Sequence, residues 1–135
     1  MTRRIGSRRS SAELATLMVL AQVKADGIEH RLATDLRHIR ALKTEIGTLG
    51  DRRGALIASR SVSDGAQDKA GTGDLALAAY CLAQADGLRL RQAALYRDLA
   101  RAEAEVTLVR TEAARARGRA AALEKLARFR DRRHS

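Results

Sequence analysis

The chain has 135 residues and a formal net charge of +10, a length that supports one small domain. Aromatic residues make up 2% of it, and tryptophan and proline are absent, which argues against a globular core built on aromatic burial. Apolar residues, mostly alanine and leucine, nonetheless account for 45%, a composition typical of long helices and coiled coils.

The first predicted element is a helix over residues 11–58. Ser10 and Glu13 have the spacing of a capping box, which predicts a helix start near residue 11. Four arginines in residues 1–9 precede the apolar stretch 14–23, an arrangement that resembles a short signal peptide. The helical phase runs through this stretch without a break, so we favour an amphipathic helix that continues onward.

An apolar stripe follows this helix in steps of four and three residues, which is the repeat of a coiled coil. Two positions of the stripe are polar. At Asp35 the neighbouring Leu36 can cover the seam, and at Arg53 the aliphatic stem can lie on it. The predicted seam consists of Leu14, Met18, Ala21, Ala25, Ile28, Leu32, Asp35, Ile39, Leu42, Ile46, Leu49, Arg53 and Leu56.

A loop is predicted over residues 59–74, which contain three glycines, four Ser/Thr residues and three aspartates. A second helix is predicted over about 75–132, with Asp74 as its N-cap. This helix has its own stripe in steps of three and four. The stripe consists of Ala78, Cys81, Ala85, Leu88, Gln92, Leu95, Leu99, Ala102, Val106, Val109, Ala113, Ala116, Ala120, Leu123 and Ala127.

The predicted fold is all-α, two long helices in an antiparallel coiled-coil hairpin that forms a single domain over residues 1–135, because neither stripe can be buried alone. A loop centred near Gln67 would place Leu14 opposite Ala120, Met18 opposite Ala116 and Ile28 opposite Val106. A four-helix arrangement, broken at Gly27, Gly87 or the glycines of residues 47–54, is the alternative.

The positive charge is concentrated near the two termini. Residues 10–114 carry 14 Lys/Arg and 14 Asp/Glu, residues 1–9 carry four arginines and no acid, and residues 115–135 carry eight Lys/Arg against two acids. An antiparallel hairpin brings both terminal segments to one end, which we call the basic end. Its cations are Arg3, Arg4, Arg8, Arg9, Arg115, Arg117, Arg119, Lys125, Arg128, Arg130, Arg132 and Arg133.

Such a charge run can be a solvated surface, a site that steers an acidic protein, or a site for nucleic acid. Phe129 is the one aromatic residue among the arginines, so nucleic-acid binding through base stacking is the less favoured of these.

Residues typical of catalytic or metal sites are sparse. His30 and His38 are two helical turns apart, too far to share one metal ion on a single helix. Cys81 is the one cysteine and falls on the apolar stripe, which indicates an inert thiol. Residues 71–73 lack the lysine of a phosphate-binding loop. We therefore expect no enzyme activity, no cofactor and no metal.

Residues 74–133 combine an apolar opening with an arginine-rich helix that contains Ala-Leu-Glu-Lys-Leu at 122–126. In these features the second helix resembles the FliJ/YscO family, the coiled-coil stalk proteins of bacterial flagellar and type III secretion export. The first helix agrees in length and heptad layout. The chain departs from the family in lacking tryptophans along the second helix and a longer, acidic-ending tail.

The resemblance implies a cytoplasmic stalk or adaptor at the inner-membrane export apparatus, a monomer or weak dimer, that couples the export ATPase to the membrane export gate. The basic end would enter the hexameric export ATPase, and export chaperones are further partners. Membrane insertion is not expected. Basic coiled coils that bind nucleic acid and structural coiled-coil oligomers are the alternatives. The surface that would meet the export-gate membrane protein, the gate patch, consists of Leu77, Tyr80, Gln84 and Leu88.

Overall fold

The computed structural model describes the backbone of residues 2–66 and 73–134 and the side chains of residues 10–59 and 75–133. Both described segments are helices: α1 spans Thr2–Ala66 (65 residues) and α2 spans Gly73–His134 (62 residues). The two helices pack against each other, which confirms the predicted all-α hairpin.

Both helices are longer than predicted, and the predicted loop at residues 59–74 is correspondingly too long. α1 continues to Ala66 and α2 begins at Gly73, so the connection lies outside the described residues. Ser10 is not an N-cap, because α1 runs through it, and its Oγ accepts a hydrogen bond from Arg130 at 2.6 Å. A glycine costs an already formed helix only about 1 kcal/mol relative to alanine. The glycines and serines of the predicted loop are therefore not enough to end the helices where we predicted.

The predicted seam is confirmed along both helices. Every seam position of either stripe is buried or half-buried, whereas the positions between them are mostly exposed. The apolar residues that are buried are Ala25, Ile39, Leu42, Ile46, Leu49, Ala85, Val106, Val109, Ala113 and Ala116.

The chain divides into two compact units. The terminal unit comprises Met1–Leu36 and Ala104–Ser135, and the loop unit comprises Arg37–Glu103. The core of the loop unit is built from large aliphatic side chains of α1, whereas two valines and three alanines are buried in the terminal unit. That the whole chain is a single domain stays a prediction.

The pairing of the helices differs from the prediction by at least one helical turn. In the loop unit, Gln92 Nε2 donates to the carbonyl of Ile46 at 3.3 Å, where a loop centred near Gln67 would have placed Leu88. In the terminal unit, Met18 shares a surface groove with Ala120 rather than with Ala116. Ile28 in turn lines a groove together with Ala116, whereas the predicted pairing placed it opposite Val106. The difference agrees with the helix ends, because the midpoint between Ala66 and Gly73 lies near residue 70 and not at Gln67.

The glycines do not break either helix, so the four-helix alternative is wrong for the described residues. Gly27, Gly47, Gly54 and Gly87 have no atom within 4 Å of the place where a Cβ would stand. Gly50 is the exception, because a Cβ there would lie 3.3 Å from Gln92 Nε2. The missing side chain leaves room for this amide to reach the carbonyl one turn earlier.

Candidate partner-binding surfaces

The basic end lies in the terminal unit. The four N-terminal arginines predicted to bind the partner stand on the first turns of α1, and the positions of their side chains lie outside the described residues. The remaining cations stand on α2 between residues 115 and 133, where side chains are described. The arginines whose side chains lie outside the description are Arg3, Arg4, Arg8 and Arg9.

Arg117 forms an ion pair across the two helices. Its Nε donates to Glu29 Oε1 at 2.6 Å, and its Nη2 donates to Glu29 Oε2 at 2.6 Å and to Asp26 Oδ1 at 2.9 Å. The hydrogen bonds from Arg117 hold the pKa of the Glu29 carboxyl below its usual value, and those same bonds raise the pKa of Arg117. Two carboxylates neutralise this guanidinium, so Arg117 links α1 to α2 and contributes little to the positive surface.

We expect this ion pair to make stability depend on pH. A lowered pKa of Glu29 means that its contribution is present above the unfolded-state pKa and is lost as the pH falls through the folded-state pKa. The melting temperature of Glu29→Gln should therefore lie below that of the wild type at about pH 7, and the difference should shrink as the pH falls through the folded-state pKa of Glu29. Glu105→Gln, a change at an exposed carboxyl of the same unit, serves as control. A difference that stays constant as the pH falls would contradict the assignment.

Three further arginines of the basic end make contacts at the surface, Arg128 and Arg133 within α2 and Arg130 with α1. Arg128 donates to Glu124 one turn earlier at 2.9 Å, and its side chain is 72% exposed. The guanidinium of Arg133 lies 5.0 Å from the centroid of the Phe129 ring, a cation–π contact. Arg130 binds Ser10, a neutral hydroxyl, so its charge remains uncompensated by that contact.

A groove between the helices gathers three cations. Lys24 of α1 and Arg115 and Arg119 of α2 line it with a single acid, Glu112. Ile28 and Ala116 form the rest of the lining. Arg115 and Arg119 are one helical turn apart, where like charges repel each other, and Lys24 adds a third charge. We call this the cation groove.

Lys24 is a member of the cation groove that the sequence prediction missed. It lies outside the two terminal segments whose charge is unbalanced, and the predicted pairing placed it opposite Arg110, more than one turn from Arg115 and more than two from Arg119. The signal that could have identified it is the register of the two helices, because a corrected register puts Lys24 opposite the arginine pair.

The predicted gate patch is only partly on the surface. Leu77 and Tyr80 are 52% and 60% exposed, and Gln84 is also exposed. Leu88 is half-buried, because it is a seam residue that faces α1. Leu75 and Leu82, two further apolar residues near the start of α2, are 63% and 46% exposed. The start of α2 therefore presents an apolar surface that the hairpin itself does not cover.

The residues considered for metal or thiol chemistry are separate from one another. His30 and His38 are exposed on α1, and Cys81 is half-buried on the seam of α2. Within the described residues, no group of three or more His, Cys, Asp or Glu side chains could hold a metal ion. Neither helix, over the same residues, is apolar enough along a sufficient length to cross a membrane.

Comparison of the chain with protein-family models, with curated proteins and with solved structures gives no match. The resemblance to the FliJ/YscO family therefore rests on the sequence features given above and stays a prediction.

Proposed function

We propose that this chain is a non-enzymatic helical adaptor that binds acidic protein partners through its basic end. In its specific form the proposal is a stalk or adaptor of a bacterial flagellar or type III export apparatus, in the cytoplasm and peripheral to the inner membrane. The basic end binds the hexameric export ATPase, and the exposed start of α2 binds the export gate.

The observation that carries the proposal is that carboxylates neutralise some cations of the basic end and not others. Arg117 is neutralised by two carboxylates, whereas Lys24, Arg115 and Arg119 share a groove with one acid. Repulsion among three cations costs stability, and a fold that keeps them together gains from an acidic partner. Surface charges of this kind act mainly on the rate of association. At physiological salt their effect is screened over a distance of roughly 8 Å.

Protein is favoured over nucleic acid because the surface lacks stacking groups. Phe129, the one aromatic residue of the terminal unit, has the guanidinium of Arg133 against its ring. Single-stranded nucleic acid is bound largely by stacking on aromatic faces, which this surface does not supply in series. The apolar start of α2, with Leu77 and Tyr80 exposed, is typical of a second protein contact.

The experiment is a charge reversal with a matched control. Arg115→Glu combined with Arg119→Glu should slow association with the purified export ATPase about tenfold and flatten its salt dependence. The same double change at Arg97 and Arg101, two exposed arginines of the loop unit with the same four-residue spacing, should alter association much less. Circular dichroism should show equal helicity for the two variants.

Duplex DNA at about 150 mM salt is the second probe in this experiment, because phosphate contacts weaken steeply as salt rises. Tight binding of the wild type to DNA, together with no binding to the export ATPase, would overturn the proposal in favour of a nucleic-acid function. Equal effects of the two charge reversals on ATPase binding would show that net charge, and not the cation groove, governs association.

A further inference from the structure

The side of α1 opposite its seam carries a second apolar row near the N-terminus. Val19 and Val23 are each 63% exposed, and Leu20 is 59% exposed. Thr16 belongs to the same row, and its hydroxyl donates to the carbonyl of Ala12 at 2.9 Å, so no donor on it is left unsatisfied. The outer face of α1, as we call it, consists of Ala12, Thr16, Val19, Leu20, Val23 and Gly27.

The outer face is unusual for a surface that stays in water. A helix that is apolar on two opposite sides is typical of one that is covered on both. The seam side is covered by α2, whereas four large apolar side chains of residues 17–23 remain more than half exposed. Exposed apolar patches of this kind mark sites of association.

The charges beside the outer face argue against a lipid surface as its partner. Helices that lie on membranes are rich in Lys and Arg along their polar side. Residues 11–29 of α1 instead carry Glu13, Asp26 and Glu29 against the single cation Lys24. Another helix, with apolar side chains and charges of both signs, is the better match.

We propose that the outer face binds the outer face of a second copy of this chain, with the two α1 helices antiparallel about a two-fold axis beside Val19 and Leu20. Two-fold dimers are the commonest symmetric oligomers, and the same surface then serves both copies. The large side chains meet near the axis. At each end Ala12 of one copy lies near Gly27 of the other, and both are small enough for the backbones to approach.

Charge complementarity selects the antiparallel arrangement. Glu13 and Lys24 flank the outer face along the same edge, and neither makes an ion pair with the described residues. In an antiparallel pair, Lys24 of one copy comes within about one turn of Glu13 of the other, and symmetry forms this pair twice. A parallel two-fold pair would instead put these residues of the two copies on opposite edges of the interface, where they cannot pair, and would bring the two basic ends together.

The test is the state of association of the full chain in analytical ultracentrifugation over about 1–200 µM. We expect a reversible dimer with a Kd in the micromolar range, because the face is small. Leu20→Glu should raise the Kd at least about tenfold with unchanged helicity. Leu108→Glu, a change of the same kind at a 67% exposed leucine on α2 of the terminal unit, should leave the Kd unchanged.

A charge swap tests the antiparallel geometry and does not depend on the proposed function. Glu13→Lys alone and Lys24→Glu alone should each raise the Kd about tenfold, because each places like charges together twice. The double variant should restore the wild-type Kd.

Three results would overturn this inference. The wild type could remain a monomer over the whole range, Leu108→Glu could weaken the dimer as much as Leu20→Glu, or the charge-swap double variant could fail to restore it. Binding of a monomeric wild type to vesicles of about 30% anionic lipid, lost in Leu20→Glu, would assign the outer face to a membrane surface instead.

Discussion

Replacement of Val109 by aspartate is expected to destabilise the hairpin more than any other single change considered for this chain. Val109 is 1% exposed, the lowest exposure of any side chain larger than alanine among the described residues. An aspartate there would place an unpaired carboxylate against the apolar seam. We expect the free energy of unfolding to fall by about 3–5 kcal/mol, a large part of the total for a chain of this size.

The neighbouring residue provides a matched control. Leu108 is 67% exposed, so Leu108→Asp removes apolar surface that is already in water. Urea denaturation followed by circular dichroism should give a free energy of unfolding within about 0.5 kcal/mol of the wild type for this variant. Equal loss of stability in the two variants would show that the assigned seam is out of phase on α2.

Other seam positions should lose stability on gaining a charge according to how deeply they are buried. Ile39 is 6% exposed and should also tolerate no charge, whereas Leu99 is half-buried and should lose less. Off the seam, Glu45 is paired with Arg91 at 3.2 Å and Glu103 with Lys43 at 3.9 Å, both on the surface. Surface ion pairs contribute about 0–1 kcal/mol, so alanine at either glutamate should change stability little.

The phase of each helix could be predicted from the sequence, but their mutual register could not. Apolar side chains recur every three or four residues over both helices, and burial alone then decides which side faces the partner. Register is set by the turn, and weak helix formers near Ala66 and Gly73 gave no sharp signal for its position. An error of a few residues in the turn moves every predicted contact by one turn or more.

One polar contact helps to select the observed register. Gln92 interrupts the apolar stripe of α2, and its Nε2 finds the carbonyl of Ile46 in the space that Gly50 leaves open. A slip of one turn would bury this amide against a side chain without a hydrogen bond, which costs about 1–3 kcal/mol. The sequence around Gln92 or around Gly50 does not predict this hydrogen bond, because it depends on the two residues lying opposite each other in the hairpin.

The candidate sites were predictable to the extent that they depend on charge counting. The excess of Lys and Arg over Asp and Glu near the two termini identified most cations of the basic end from the sequence alone. The counting could not show that Arg117 is neutralised by Asp26 and Glu29, nor that Lys24 joins the arginines of the groove, because these contacts cross from one helix to the other. Leu88 was assigned to both the seam and the gate patch, and the structure places it on the seam.

Replacement of Asp35 by leucine is expected to stabilise the hairpin. Asp35 occupies a seam position between Leu32 and Ile39, and its Oδ2 is buried without a hydrogen bond from the described residues. A carboxylate oxygen in this setting has lost water without gaining a partner, whereas leucine would continue the apolar stripe on both sides.

We expect Asp35→Leu to raise the free energy of unfolding by about 1–2 kcal/mol, measured by urea denaturation at constant slope. Asp35→Asn keeps a polar group of nearly the same size in place, so it should recover little of this gain. A loss of stability in Asp35→Leu would mean that the carboxylate is better satisfied than its surroundings indicate. Stability equal to the wild type in Asp35→Leu, with a gain in Asp35→Asn, would point to the charge and not to the unpaired oxygen as the cost, because the amide removes only the charge.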